Sequence, residues 1–220
     1  MKEDIICLRC LADLPYTHFW EYPHNPMADA FNARIEQIPD IQAPVTGYCY
    51  AAALLYYRDG SAYRSIPRRL KYGRDFKEGK YFARLLGEKL KISPPFKDVD
   101  IIVPVPLHWT RMWSRGYNQA QVIAEEVAQA LPEARLESNI LRRIRRTMSQ
   151  TGMEGGEKTS NVAGVFSCTS PAKELAPSHI LIVDDVFTSG STSAECFRAL
   201  QKQYGGGTRI SVATLSYAGE

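Results

Sequence analysis

The residues with the most chemistry in this chain stand together at 184 to 192, Asp184-Asp185-Val186-Phe187-Thr188-Ser189-Gly190-Ser191-Thr192. Small residues let backbone N–H groups close around a phosphate, a helix N-terminus adds unpaired donors and a partial positive charge, and the hydroxyls supply further donors. Asp184 and Asp185 can accept hydrogen bonds from sugar hydroxyls and help hold a hydrated Mg²⁺. In this order phosphate, ribose and metal lie side by side. The plainer alternative is a buried strand followed by a polar turn and a helix cap. An ATPase-type magnesium site is a third, but no Gly-x-x-x-x-Gly-Lys-Ser/Thr loop occurs in the chain.

Two further groups of cations and one of thiols carry possible chemistry. Residues 107 to 119 form a loop rich in cations and aromatics, including His108, Trp109, Arg111, Trp113 and Arg115. The two guanidiniums suit a pyrophosphate, because their forks pair bidentately with phosphate oxygens; a solvated arginine pair is the ordinary alternative. Residues 58 to 80 hold eight Lys or Arg against three Asp or Glu, so Lys71 either faces a polyphosphate or belongs to a solvated basic face. Cys7 and Cys10 have the spacing of half a zinc knuckle, whereas tetrahedral structural zinc takes four ligands. Cys49, Cys168 and Cys196 stand alone, and the spacing of His18 and His24 does not enlist them, which leaves ordinary thiols as the other reading.

The elements that must position these groups follow from hydrophobic periodicity. Ile180 to Val183 reads as a short strand buried on both faces, and a helical pattern with Phe197, Leu200 and Tyr204 follows the turn. Val99 to Pro106 reads as the first core strand, ended by prolines that cannot donate to a ladder. Behind its loop comes a helix with Ala120, Ile123, Ala124, Val127 and Leu131 on one stripe. Residues 134 to 141 predict a second strand, Val162 to Phe166 a short one, and Arg209 to Leu215 a closing one. Phe82, Leu85, Leu86 and Leu90 share a helix face. Tyr48 to Tyr57 is ambiguous between strand and helix and is taken as the first strand of a lid. The polar stretch from Arg142 to Asn161 has almost nothing to bury, the mark of a functional lid or of disorder. This alternation predicts an α/β fold with a mostly parallel sheet and right-handed crossovers. In such a sheet ligands bind beyond the carboxyl ends of the strands, so the Arg111 and Asp184 loops are expected to share one crevice.

Length and composition bound the rest. With 220 residues, 45% hydrophobic and 23% charged, the chain can build one substantial core and a small appendage. Five prolines in residues 1 to 45 interrupt any long helix there, so the expected division is an N-terminal segment over 1 to 45 and a main domain over 46 to 220. The start lacks an apolar signal core and no run spans a membrane, so a cytoplasmic protein without membrane insertion is expected. An odd number of scattered cysteines fits reduced thiols. A net charge of +3 is too mild to define a nucleic-acid binder by itself.

Taken whole, residues 180 to 192 resemble the signature of the type I phosphoribosyltransferases: four apolar residues, two acids, two variable positions, then Thr-Ser-Gly-x-Thr. The segment Val103-Pro104-Val105-Pro106-Leu107-His108, with Arg111 and then Arg115-Gly116-Tyr117-Asn118-Gln119-Ala120, resembles the ComF/GntX family, the competence-associated branch of these proteins. Leu70-Lys71-Tyr72, Arg142-x-x-Arg145-x-Thr147-x-x-Gln150-Thr151 and Asn161-Val162-x-Gly164-x-Phe166 extend the likeness over roughly residues 48 to 216.

The resemblance implies a phosphoribosyltransferase-type parallel sheet flanked by helices, a small hood, and a flexible loop at roughly Arg145 to Asn161. It implies 5-phosphoribosyl 1-pyrophosphate with Mg²⁺ as the ligand. The 5′-phosphate would sit in the Thr188, Ser189, Gly190, Ser191, Thr192 loop and the ribose hydroxyls on Asp184 and Asp185. The pyrophosphate would lie near His108, Arg111, Arg115 and Lys71. Family members begin with two Cys-x-x-Cys pairs that form a zinc finger; here the Cys7 and Cys10 pair alone is present, a partial finger with Zn²⁺ as its implied ion. The implied activity is phosphoribosyl transfer with pyrophosphate release, in which the incoming nitrogen needs no protein nucleophile, and no catalytic residue is assigned. The second implication is a non-catalytic accessory role in DNA uptake during natural transformation, sensing the ligand or binding competence-machinery proteins. Single-stranded DNA is a further implied partner, through the basic clusters at 58 to 80 and 142 to 146 with Trp109, Trp113 or Tyr117 as stacking platforms.

Overall fold

The computed structural model describes residues 5–38, 47–57, 76–107, 116–144, 164–169 and 175–219. Within them lie strands β1 (Ala51–Tyr56), β2 (Ile101–Pro104), β3 (Arg135–Leu136), β4 (Leu141–Arg143), β5 (Phe166–Cys168), β6 (His179–Phe187) and β7 (Arg209–Tyr217). The helices are α1 (Leu8–Ala12), α2 (Pro26–Glu36), α3 (Phe76–Lys91), α4 (Gln119–Ala130) and α5 (Ser191–Tyr204). Five strands form one sheet in the order β1-β7-β6-β2-β3, parallel at every pairing, and β4 pairs with β5 as a separate antiparallel ribbon. The fold is α/β, as the alternation of patterns predicts. No helix of the described residues is long and apolar enough to cross a membrane.

The centre of the sheet is dictated by composition. Ile180, Leu181, Ile182 and Val183 are all fully buried, as a strand covered on both faces requires. The predicted 134–141 strand divides: Arg135–Leu136 stays in the main sheet beside β2, while Leu141–Arg143 turns away to pair with β5. The 48–57 segment supplies β1 to the main sheet, in register with β7 from Ala51↔Val212 to Tyr56↔Tyr217. This differs from the expected lid strand. Its physical basis is the small-residue run Ala51-Ala52-Ala53, buried to 1% or less, which admits helices close against it.

The proline-rich N-terminal stretch is ordered by one side chain. Asn25 caps α2 by accepting the Ala28 N–H through Oδ1 (3.0 Å), and its Nδ2 donates to the carbonyls of Ala51 (3.0 Å), Tyr22 (3.1 Å) and Phe19 (3.3 Å). Pro26 occupies the first turn, where a missing N–H costs nothing. Met27, Ala28, Phe31 and Ile35 then bury one face of α2 in the same core as the sheet. Prolines that forbid a long helix are thus compatible with an 11-residue one that begins at a proline.

On the helical layer α3 and α4 pack closely. A Cβ on Gly87 would stand 2.7 Å from Ala130 Cβ and 3.2 Å from Val127 Cα, so glycine sets the approach. Across the same contact the buried Glu126 receives Arg84 Nε (3.2 Å) and Nη2 (2.8 Å), with Lys80 Nζ at 3.6 Å. Gly87→Val is expected to lower unfolding free energy by about 1–3 kcal/mol through overpacking, read by urea denaturation; an unchanged midpoint would show that the helices can separate without cost.

The amino ends of the strands carry a buried polar clamp. Fully buried His179 contacts Asp98 Oδ1 through Nδ1 (2.9 Å) and Ser211 Oγ through Nε2 (2.7 Å), while Arg209 pairs with Asp98. Since a carboxylate only accepts, the neutral ring donates from Nδ1 and accepts the Ser211 hydroxyl. Burial holds the His179 pKa below its ordinary 6.5, against the opposing pull of the Asp98 hydrogen bond. As pH falls below about 6.5 the unfolded chain therefore takes up a proton before the folded one does, and stability present above that pH is lost, by at most about 1.4 kcal/mol per pH unit. Urea midpoints are expected to fall between pH 7 and pH 5.5, and to fall less in His179→Gln; equal slopes in both proteins would remove His179 from the account.

Candidate functional site

The strand order places the acidic stretch. From β2 the chain passes to β3 on one side and then crosses to β6 on the other, so the order reverses between β2 and β6. Open parallel sheets hold their ligands outside the carboxyl ends at such a reversal. The last β2 pairing is Pro104↔Val183, and Val105 N donates to Val183 O at 2.9 Å. Pro104 and Pro106 offer no N–H to prolong the ladder.

β6 does not stop with β2. Residues 184–187 continue beside β7, with Asp184↔Thr214, Val186↔Ser216 and Phe187↔Tyr217, four residues past the expected end. Asp184 and Asp185 therefore stand where β6 has lost its neighbour on one edge only. Because successive strand residues face opposite sides, the two carboxylates diverge. Asp184 is half-buried, and its Oδ1 accepts the Asp185 N–H at 2.8 Å; Asp185 is 7% exposed.

The turn after β6 is built on Phe187 and Gly190. Gly190 has φ +73°, and a Cβ there would lie 2.6 Å from Phe187 Cζ. Glycine is thus required both for the left-handed backbone and for the close approach to the ring. Thr188 and Ser189 are exposed, Ser191 and Thr192 half-buried, and Ser189 Oγ lies 2.9 Å from Ser191 Oγ. Gly190 is the N-cap of the 14-residue α5 and offers no side-chain cap, so the first-turn N–H groups and the positive end of the helix dipole face the turn.

Three side chains outside the acidic stretch brace this end of the sheet. Asn118 caps α4 by accepting the Ala120 N–H (3.2 Å) and donates to Val105 O (3.0 Å), closing the base of the loop between β2 and α4. Glu195 in α5 accepts the Gly164 N–H (2.9 Å) and pairs with Arg198 Nε (3.2 Å). That ties α5 to the ribbon where Ile144 N donates to Val165 O (2.8 Å) and the Arg143 guanidinium lies 5.4 Å from the Phe166 ring centroid. Arg34 in α2 donates from Nε to Ser189 O at 3.4 Å. The Asn118 cap was readable from an asparagine directly before an amphipathic pattern. The other two join distant parts of the chain, and nothing local announces them.

Of the residues singled out from sequence, Asp184, Asp185, Thr188, Ser189, Gly190, Ser191 and Thr192 come together here. His108, Arg111, Arg115 and Lys71 lie outside the described residues, as do Trp109, Trp113 and most of the two basic clusters. Cys7 and Cys10 lie far along the chain, Cys7 as the N-cap of α1 and Cys10 within it, and Cys7 Sγ accepts the Cys10 N–H at 3.5 Å. Among the described residues no group of three or more His, Cys, Asp and Glu gathers to hold a metal. For Mg²⁺ that fits, since it is commonly bound by one or two carboxylates together with substrate phosphates and water. For structural zinc, Cys7 and Cys10 alone fall short of four ligands.

Other nucleophile arrangements can be set aside on geometry. Ser211, His179 and Asp98 have the contact order of a hydrolytic triad, but Ser211 and His179 are fully buried at the opposite, amino ends of the strands. Burial pushes the thiol of Cys168 up to about 11, that of Cys49 up to about 12, and that of Cys196 well above its ordinary value, so none is a thiolate at neutral pH. No protein-family model matches the chain, and a search of the curated proteins returns no match.

Gly190→Ala is expected to cost about 2 kcal/mol or more, the sum of left-handed strain and collision with Phe187, whereas exposed Ser189→Ala should stay within about 0.5 kcal/mol. Equal thermal midpoints for the two variants would show that the turn relaxes freely.

Proposed function

We propose that this chain is a cytoplasmic, ComF-like phosphoribosyltransferase-domain protein that binds 5-phosphoribosyl 1-pyrophosphate with Mg²⁺ and transfers the phosphoribosyl group with release of pyrophosphate. The observation that supports it is the convergence, at the reversal between β2 and β6, of an acidic pair, a glycine-dependent turn and an uncapped helix N-terminus. In this reading the 5′-phosphate takes N–H and hydroxyl donors from Thr188 to Thr192. The ribose hydroxyls donate to Asp184, the more accessible carboxylate, with Asp185 behind it. The pyrophosphate lies beside the loop that Asn118 closes, where sequence places His108, Arg111 and Arg115, and Lys71 completes the cationic side. Segments preceding β2 supply the hood. The Cys7 and Cys10 pair belongs to a partial finger that takes zinc only if further ligands join it.

The chemistry asked of the site is electrostatic. Loss of pyrophosphate from C1′ leaves an oxocarbenium-like sugar and a polyanion, so donors must be aimed at the leaving group and water kept away. Bound Mg²⁺ would neutralise part of the pyrophosphate charge, with Asp184 holding it directly or through water and Asp185, on the other side of the strand, backing that end of β6. Asp184 also orients the sugar by its hydroxyls, and the fixed turn holds the 5′ end, so that C1′ is presented in one geometry to the acceptor.

Calorimetric titration with 5-phosphoribosyl 1-pyrophosphate should show binding that requires Mg²⁺. The double variant Asp184→Asn with Asp185→Asn should weaken that binding at least about tenfold while its thermal midpoint stays close to the parent's. Absence of binding by the folded parent would sink the ligand reading. Binding with no pyrophosphate release to any base, amine or water would replace transfer by ligand sensing, the accessory role in DNA uptake.

A further inference from the structure

The phosphate turn is clamped from outside by α2, a helix none of the sequence motifs includes. Phe31 meets Phe187, the residue before the turn, edge to face at 6.5 Å, and Phe197, one helical stretch after it, at 6.0 Å. Residues three apart on a helix are surface neighbours, so the face that delivers Phe31 to both flanks of the turn also carries Arg34. Its Nε contacts Ser189 O at 3.4 Å, and its Nη1 contacts Gln37 Oε1 at 3.2 Å. The acids of α2 lie elsewhere on the helix: Asp29 and Glu36 line a separate open hollow with Asn32, Gly47 and Tyr48. Asp29 is moreover engaged by the Tyr48 hydroxyl. The charge that α2 brings to the turn is therefore positive.

We propose that Arg34 is a ligand-binding residue: its guanidinium pairs with the 5′-phosphate of a phosphorylated sugar seated in the Thr188 to Gly190 turn, making the N-terminal segment part of the site. This rests on the reading of that turn as a sugar-phosphate site. The arrangement has a physical logic, because an arginine whose Nε is spent on the turn's own carbonyl keeps other N–H donors in its planar fork for an anion held by the same turn. Binding would then couple α2 to α5 through the ligand as well as through Phe31.

The test uses the full chain and two probes, ribose 5-phosphate and 5-phosphoribosyl 1-pyrophosphate with Mg²⁺, titrated into the parent and into Arg34→Ala, Arg34→Gln and Arg34→Lys. Arg34 is only half-buried, so all three should keep the parent's thermal midpoint. Loss of the charge-assisted contact should weaken both probes roughly ten- to a hundredfold in the Ala and Gln variants, with partial recovery in Lys. Gln retains an N–H donor for the Ser189 carbonyl, so parent-like binding by Arg34→Gln would show a purely structural role and overturn the proposal. A second readout is pH. Phosphate gains its second charge near pH 6, so parental affinity for ribose 5-phosphate should rise from pH 5.5 to 7.5 and that rise should flatten in Arg34→Gln; a loss uniform in pH would again overturn it. The two readings fail separately. A parent that binds ribose 5-phosphate but not the pyrophosphorylated sugar sinks the transfer reading alone. Equal binding by parent and Arg34→Ala sinks the Arg34 assignment alone, and a folded parent that binds neither probe sinks both.

Discussion

The structure depends on a mismatch of strand lengths. β6 and β2 run side by side to Val183 and Pro104, and then β2 stops while β6 continues for four residues against β7. The cause lies in the prolines at 104 and 106, which remove ladder donors from one strand, and in nine consecutive residues of β7 that keep pairing on the other side. A crevice opens on one edge of a strand that remains rigid on its other edge. Asp184, half-buried at that opening, is therefore carried by a strand that is still paired on its other side.

Around that opening the fold is reinforced by side chains that contribute little chemistry. Phe187 is held by Phe31 and Tyr217, and Gly190 presses on its ring, so the turn inherits its shape from the aromatic core. Asn118 closes one neighbouring loop and Glu195 ties the other neighbouring ribbon to α5. Each is a single hydrogen-bonding residue that satisfies backbone groups at the end of a regular element, where the helix or ladder no longer does so.

The two ends of the sheet differ in how their polar groups are held. At the amino ends His179, Asp98, Ser211 and Arg209 form a closed network with a fully buried ring and hydroxyl at its centre. Its groups satisfy one another, so it anchors strands. At the carboxyl ends Asp184 is half-buried, and the exposed Thr188 and Ser189 stand beside the N-terminus of α5.

Much of the fold was legible in the chain. Apolar runs at 99–106, 180–183 and 209–215, and the stripes of Phe82-Leu86-Leu90 and Ala120-Ile123-Ala124-Val127, are periodicities that local physics reads directly, and they determine an α/β parallel sheet. The turn and helix start after the acidic pair were equally legible, because the small residues that make them are neighbours in the chain. Other features only the tertiary structure decided. Residues 48–57 join the sheet edge, the 134–141 segment splits between two sheets, and a proline-rich start yields α2, because each outcome depends on what lies beside the segment: β7, β5, and the Ala51 carbonyl that Asn25 reaches across 26 residues. Arg34 stands 155 residues from Ser189. No local pattern encodes such a contact, since it arises from burying Phe31, Phe187 and Phe197 together, and burial is a property of the whole chain.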